Sequence, residues 1–428
     1  MSSNRKSRIP FCDSLPSDWD EIPNRYIFYR HSRKAGDKSN CYQLLSLTTQ
    51  GVKQKDINAA GGKVPKNYDN YQTVEKNDMI FCLFDLDCSA VFSGLSKYDG
   101  MITSAYNVFG VNNDYADNSY LNYWFQFVFS NRYYKMFSKS IRYTVTEDNF
   151  KMQYTPIPPI VEQVKIGEYL DGKIKKIDTL IANQQQQIEK LKQYKQSLIT
   201  EVVTKGLDKD VPMKDSGVDW IGQIPESWKV TTLGAVSKQM RNGYVGPTRD
   251  LFFDEGVPYI QSLHIKDGDI DFKKHEYFVS ETWAQKHPKV NVGNLLIVQT
   301  GDIGQVGVVR KEQDGYNCHA LIIVDVNNEL VSTDFLSYYF RSVCGKELLL
   351  ATKTGALLPH LNSGKVGVTK IVFPEINQQN IIVEFLDQNC KIINGLIKIR
   401  EEKISKLNQY KKSLIYEYVT GKKRVPEA

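Results

Sequence analysis

Hydrolysis and group transfer need carboxylates, imidazoles or hydroxyls at particular spacings, and this sequence offers few. Asp85 and Asp87 follow an apolar run and could serve as nuclease carboxylates, but no lysine follows at the matching spacing. Asp269 and Asp271 could hold a metal ion. Gly268 and Lys273-Lys274 around them favour a solvated turn instead. The six histidines (31, 264, 275, 287, 319 and 360) show no HExxH spacing, and no GxxxxGK[ST] phosphate loop occurs. A base methyltransferase needs an NPPY- or DPPY-like loop for the flipped base and a glycine-rich turn for its cofactor. The nearest match, TPIPP from Thr155, lacks the amide. The residues therefore point to no catalysis, no metal and no cofactor in this chain.

Reading nucleic-acid sequence makes different demands: Arg, Asn, Gln, Lys or His presented to groove edges. The best candidate is RNGYVGPTR, where Gly243 and Gly246 bend a loop carrying Arg241, Asn242, Tyr244, Thr248 and Arg249. Gln261 and His264 lie near one expected strand end, and Gln299 and Thr300 end another. His360 and Asn362 precede a helix entry. In the first half RHSRKAGDKSN supplies Arg30, Arg33, Lys34 and Asn40. Base contact, phosphate contact and plain solvation are all open to these loops. The net charge of +6 leans towards a polyanionic partner without naming one.

The chain that must position these loops has 428 residues, too many for one compact core. With 41% hydrophobic and 24% charged residues it has an ordinary globular balance. Seven cysteines are scattered without a CxxC pair, which fits reduced thiols. The first residues lack an apolar core, and no apolar run approaches the ~20 residues of a membrane span. The expected location is the cytoplasm.

An internal repeat organises everything else. Adding 216 to a number in the first half lands on its counterpart: LKQYKQSLITEVVT from Leu191 on LNQYKKSLIYEYVT from Leu407, and PPIVEQVKIGEYLD from Pro158 on PEINQQNIIVEFLD from Pro374. Roughly half the positions between Pro158 and Thr204 are identical to their partners, without a gap. Both copies carry heptads. With Ile174, Ile181, Ile188, Lys195 and Val202 at a, the d residues are Leu170, Ile177, Gln184, Leu191 and Leu198. The second copy has Cys390, Ile397, Ile404, Lys411 and Tyr418 at a, with Leu386, Ile393, Arg400, Leu407 and Leu414 at d. Such a seam favours two-stranded pairing, with Lys195 and Lys411 as polar intruders in the same position of both copies. A helix over 170–203 is ~50 Å long, more than one small domain needs, so the two helices are expected to pair, antiparallel. The identical polar residues Gln193, Tyr194, Lys195 and Ser197, with Gln409, Tyr410, Lys411 and Ser413, are expected to form one partner-binding surface presented twice.

A divergent block of about 150 residues precedes each helix. Strands are expected at 42–48, 78–84, 102–111, 257–264, 294–300, 306–310 and 320–326, and amphipathic helices at 118–131 and 333–343, the latter capped by Thr333-Asp334. The expected fold class is α+β: two α/β-type domains and two long helices in a pseudo-two-fold tandem repeat. The expected boundaries are 1–157, a helix 158–206, a connector 207–222, a second domain 223–373, and 374–428.

DSGVDWIGQIPESWKVTTLG from Asp215, GVPYI from Gly256, IVFPEINQQ from Ile371 and the duplicated LKQYKQSLITEVVTKG helix resemble type I restriction-modification specificity subunits over essentially the whole chain. The first half departs from that pattern: DWDEIPNRYIF from Asp18 echoes the opening motif only through Ile22-Pro23, and CYQLL stands where a GxP-like core is expected. The resemblance implies two target-recognition domains, each reading half of a split site in double-stranded DNA. It also implies helices that hold these domains apart and bind two methyltransferase subunits, with motor-nuclease subunits added to the complex. S-adenosylmethionine, ATP and magnesium would then belong to the partners.

Overall fold

A computed structural model describes residues 4–56, 67–138, 143–355 and 359–426. The chain divides into two units, Met1–Gln184 with Glu401–Ala428, and Gln185–Arg400. The long helices form no separate body: each contributes one part to either unit.

Both units are built on one scaffold. In the first, strands Phe28–Tyr29, Asn107–Val111, Met79–Phe81 and Ser93–Leu95 lie in that spatial order and pair antiparallel. In the second, Ser237–Asn242, Leu321–Val326, Leu295–Val298 and Val306–Val308 repeat the order and the pairing. A flanking ribbon, Asp20–Pro23 with Tyr154–Ile157, recurs as Lys229–Thr232 with Lys370–Phe373. An opening hairpin, Asn4–Lys6 with Ser14–Pro16, recurs as Met213–Asp215 with Gln223–Pro225, so part of the expected connector belongs to the second unit's first hairpin.

The apolar run over 102–111 is two strands, Gly100–Ile102 and Asn107–Val111, separated by a turn at Thr103–Tyr106. The strand from Val257 stops at Ile260, because the His264 ring captures the next free backbone N–H, that of Gln261, at 2.9 Å.

Each sheet is covered by an aromatic helix. Asn118–Ser130 starts at Asp117, whose side chain accepts from Tyr120 N, and buries Tyr120, Trp124 and Phe125. Thr333–Arg341 is capped by Ser332, one residue before the expected cap, and buries Phe335, Tyr339 and Phe340. The cap assignment moves because the Ser332 oxygen accepts from Phe335 N, three residues on, where an exposed N–H needs a partner. A second short helix, Val343–Ala351, follows directly.

The long helices are Ile160–Lys205 and Ile376–Val419. Every a and d position assigned above is buried or half-buried. Within the first unit Lys411 Nζ meets the Asp178 carboxylate at 2.7 and 2.9 Å, and the Tyr418 and Tyr169 hydroxyls meet at 3.3 Å. Within the second, Lys195 Nζ donates to Asn394 Oδ1 at 3.1 Å and Arg400 Nε to Gln187 Oε1 at 3.0 Å. Numbers rise along one helix as they fall along the other, so the pairing is antiparallel in both units. Asp178 and Asn394 are themselves counterparts in the repeat, so each seam lysine finds the equivalent residue of the other helix.

That pairing carries a prediction. The Lys411–Asp178 contact is half exposed, where an ion pair stabilises by roughly 0–1 kcal/mol. Asp178→Asn gives the first contact the chemistry of the second. We expect the first unit to lose less than about 1 kcal/mol in denaturant unfolding, with the difference vanishing at high salt. A salt-independent loss well above that would show that charge fixes the register.

The helix ends join the cores. Gly206 (φ +79) turns the chain beside Trp228, and Gly421 (φ +68) turns it beside Trp19. Glycine reaches this left-handed conformation without the Cβ penalty that other residues meet. Beyond Gly421, Arg424 binds Asp18 and Glu162, and its guanidinium lies over Trp19. These contacts identify the first unit's opening motif as Leu15-Pro16-Ser17-Asp18-Trp19, matching Ile224-Pro225-Glu226-Ser227-Trp228. Trp19 N bonds Pro16 O as Trp228 N bonds Pro225 O. Ile22-Pro23 belongs to the flanking ribbon instead.

Candidate nucleic-acid interface

In the second unit one end of the four-stranded sheet gathers most of the polar candidates. A run of backbone hydrogen bonds crosses it: Ala320 N to Tyr244 O, Gln299 N to Ala320 O, and Leu361 N to Gln299 O. His319 N bonds Ile260 O, which brings the 260–262 segment alongside. Asn242, Tyr244, Gln261, Gln299, Thr300, His360 and Asn362 therefore converge on one strand-end surface from four separate stretches of sequence. Arg249 and Thr248 continue from it on the loop; Arg249 is exposed and Thr248 half-buried. Arg241 is half-buried, its guanidinium donating to Lys289 O at 2.9 Å.

Two acceptors at this end lack a donor. Asn242 Oδ1 and Gln299 Oε1 are buried without a hydrogen-bond partner. An unmet buried acceptor costs about 1–3 kcal/mol. Both belong to the side-chain class that pairs with adenine's N6 and N7 edge. Beside them Tyr244 packs edge-on to Trp283 and His287, whose rings stack at 3.7 Å. His319 faces the Tyr259 hydroxyl at 3.3 Å. Sequence reasoning had not selected His287 or His319. Their signal was faint: His319 is the repeat counterpart of Thr103, in the turn that breaks the first unit's strand.

Some assignments change. His264 is 1% exposed, and both ring nitrogens are used: Nδ1 accepts from Gln261 N, and Nε2 lies 2.7 Å from His275 O. It shapes the loop and has no free edge for a base. The Asn362 side chain caps the helix Ser363–Gly367 through Gly364 N and Lys365 N. Its acceptor oxygen is thus engaged, although the residue is exposed. His360 meets Thr354 Oγ1 at 3.1 Å.

In the first unit the basic loop likewise follows the end of the first edge strand. Arg30 pairs with Glu147 at 2.8 Å, and Glu147 also takes a hydrogen bond from Asn107. Arg33 and Lys34 are exposed on a segment held by backbone contacts to Thr73 and Gln72. Asn40 is exposed in the turn Gly36–Cys41. Asp87 pairs with Lys135, and Asp269 sits in a two-stranded turn with Ile265–Lys266. Among the described residues no three His, Cys, Asp or Glu side chains converge as a metal site would require.

On the helices, Tyr194 and Tyr410 are 56% and 54% exposed, and Gln193, Ser197, Gln409 and Ser413 are exposed with them. Lys195 and Lys411 turn inward to Asn394 and Asp178, so they leave the expected partner surface. Their a positions require this.

Burial holds the His264 and His319 imidazoles below the usual histidine range, the largest cause in each being desolvation. The folded state thus keeps both rings neutral, while the unfolded chain takes up protons near pH ~6.5. Their contribution to stability is full above that pH and is lost as pH falls towards the depressed folded values. We expect the second unit's unfolding midpoint to fall on acidification from about pH 7 to about pH 5. The His264→Gln/His319→Gln double variant should flatten that slope. An unchanged slope in the variant would assign the acid sensitivity to other groups.

Residues 225–420 match the family model for the type I restriction modification DNA specificity domain. Over most of its length the chain is similar to type I restriction enzyme specificity subunits. It is 25% identical over 435 residues to the MjaVIII specificity subunit of Methanocaldococcus jannaschii, covering 96% of this chain and 94% of the relative. It is 25% identical over 274 residues to the EcoBI specificity subunit of Escherichia coli. That match covers 62% of this chain and spans 57% of the length of the relative, under two thirds. A solved structure on complex assembly and conformational transition of the type I R-M system contains a chain of the same fold. Its TM-score is 0.71 at 15% identity, over 95% of this chain and 99% of that one. No helix among the described residues is long and apolar enough to cross a membrane.

Proposed function

We propose that this chain is the DNA-recognition component of a type I restriction-modification complex, working in the cytoplasm and performing no chemistry of its own. Each unit reads one half of a split, asymmetric site in double-stranded DNA. In the second unit the reading surface is the sheet end bearing Asn242, Tyr244, Gln261, Gln299, Thr300 and His360, with Arg241, Thr248 and Arg249 on the adjoining loop. In the first it is the loop bearing Arg30, Arg33, Lys34 and Asn40. The paired helices set the spacing. Gln193, Tyr194 and Ser197, with Gln409, Tyr410 and Ser413, dock two methyltransferase subunits. Motor-nuclease subunits join through that complex, and S-adenosylmethionine, ATP and magnesium are held by the partners.

One observation carries this reading: two units share a strand order and helices identical at roughly half their positions, while their strand-end loops differ throughout. Equal helices suit two equal protein partners, and unequal loops suit two unequal half-sites. The test is to map methylated adenines in DNA from cells expressing the chain with its modification subunit. A split motif with two dissimilar halves is expected, absent when the chain is omitted. Methylation that persists without the chain, or a single uninterrupted motif, would refute it.

A further inference from the structure

The second unit has a cleft between its part of the first long helix and the Thr333–Arg341 and Val343–Ala351 helices. It holds about 90 Å³ of space and is bordered by Lys195, Asp267, Gly304, Gln305, Arg341 and Lys346. By the same measure a single water needs roughly 10–15 Å³, so a tetrahedral oxyanion fits. Three cations face one carboxylate, and that carboxylate answers weakly: Asp267 is 3.9 Å from Lys195 Nζ, with its side chain 63% exposed.

The other two cations have no carboxylate partner within ion-pair distance among the described residues. The Arg341 guanidinium lies over the Tyr338 ring at 4.7 Å, a contact that orients its plane and leaves its N–H donors free. Lys346 is exposed in the first turn of Val343–Ala351, a turn with no acidic residue. That is the positive end of a helix dipole, where a lysine is disfavoured unless an anion sits beside it. The walls are fixed before any ligand arrives. Gln196 Nε2 binds Arg341 O at 2.8 Å, and Thr200 Oγ1 accepts from Val343 N at 3.0 Å. Gly268 (φ +93) keeps room for the guanidinium, since a Cβ there would stand 2.7 Å from Arg341 Nη1. At the offset of 215 that aligns YLNYWF from Tyr120 with FLSYYF from Phe335, Gln126 and Asn131 stand where the second unit has Arg341 and Lys346.

We propose that Lys195, Arg341 and Lys346 form a binding site for a phosphate-type oxyanion in the second unit. The cleft borders the turn that follows Gln299, so a phosphodiester of bound duplex and free phosphate are both sources of that chemistry. Only the first source rests on the DNA-reading function.

The experiment uses the full chain, alone and with its modification subunit, as wild type, Arg341→Gln and Lys346→Gln. Binding of inorganic phosphate is followed by titration calorimetry, and duplex association by anisotropy across a salt series. Circular dichroism checks folding; exposed Lys346 can be changed without touching a core. If free phosphate is the ligand, saturable binding weakens about tenfold in each variant and the duplex salt slope is unchanged. If duplex phosphate is the ligand, the slope of log K against log salt falls by about one per contact removed, and free phosphate competes. Variants indistinguishable from wild type in both measurements would overturn the site. Wild type that binds phosphate but shows no salt-dependent duplex association, with or without its partner, would keep the site and refute the DNA-reading function.

Discussion

Inserting four residues after Gln187 together with four after Arg400 is expected to lengthen the preferred gap between half-sites by about one to two base pairs, leaving both half-site sequences unchanged. Four helical residues add ~6 Å, against a rise of ~3.4 Å per base pair. The points are chosen because Gln187 and Arg400 are hydrogen-bonded across the pair, next to where each helix passes from one unit to the other. A four-residue insertion is a stutter, which locally unwinds a coiled coil without abolishing its seam. Made in both helices at paired positions, it preserves Lys411–Asp178 on one side and Lys195–Asn394 on the other. The same insertion after Gln187 alone would slide one helix past the other and break one of these contacts, so it should cost stability as well. Methylation mapping reads the result. Altered half-site bases with an unaltered gap would mean that the helices do not measure the distance.

The second large effect is expected at a buried amide present in both units. Gln163 accepts from Asp117 N at 2.8 Å and donates to Tyr115 O at 3.0 Å and Pro158 O at 2.8 Å. Gln379 does the same with Ser332 N, Leu330 O and Pro374 O. Both are 0% exposed. Each amide ties the start of a long helix to the cap of the aromatic helix in its own unit. Gln163→Leu or Gln379→Leu keeps the volume but leaves three backbone groups without a partner. At about 1–3 kcal/mol per stranded group, each variant should lose about 3 kcal/mol or more. Hydrogen exchange should place the loss in the first unit for Gln163→Leu and in the second for Gln379→Leu, with additive energies in the double variant. A loss below about 1 kcal/mol, or one shared equally by both units, would contradict this account.

These glutamines also mark where sequence reading succeeds. A constant offset of 216 exposes the helices, their seam and Gln163 with Gln379, because an insertion in one helix alone would slide it past its partner along the seam. The same offset fails for Trp19 and Trp228, which are 209 apart. Loops of unequal length intervene, and the first unit's opening motif is displaced onto Ile22-Pro23. Lys195 and Lys411 were legible in two ways at once, as identical polar residues and as a positions. Geometry decides for the second: Lys195 Nζ donates to Asn394 and Lys411 Nζ to Asp178 across the seam. The strand-end surface was legible only as fragments. Residue type nominates Gln299 and His264 equally, but His264 spends both ring nitrogens on its own loop while Gln299 keeps an unmet oxygen. That distinction depends on which backbone groups lie within 3 Å, and no periodicity encodes it.

The glycine turns beside the two tryptophans have a topological consequence. Gly206 leads the first long helix onto Trp228, and Gly421 leads the second onto Trp19, where Arg424 fastens the chain to Asp18 and Glu162. The last helix thus hands over to the first hairpin as the first helix hands over to the second hairpin. Each unit takes the same step, a helix end turned by glycine onto the tryptophan of a hairpin. A chain cut between Gly206 and Met213 would therefore keep the non-covalent contacts of Gly206 with Trp228 and of Gly421 with Trp19.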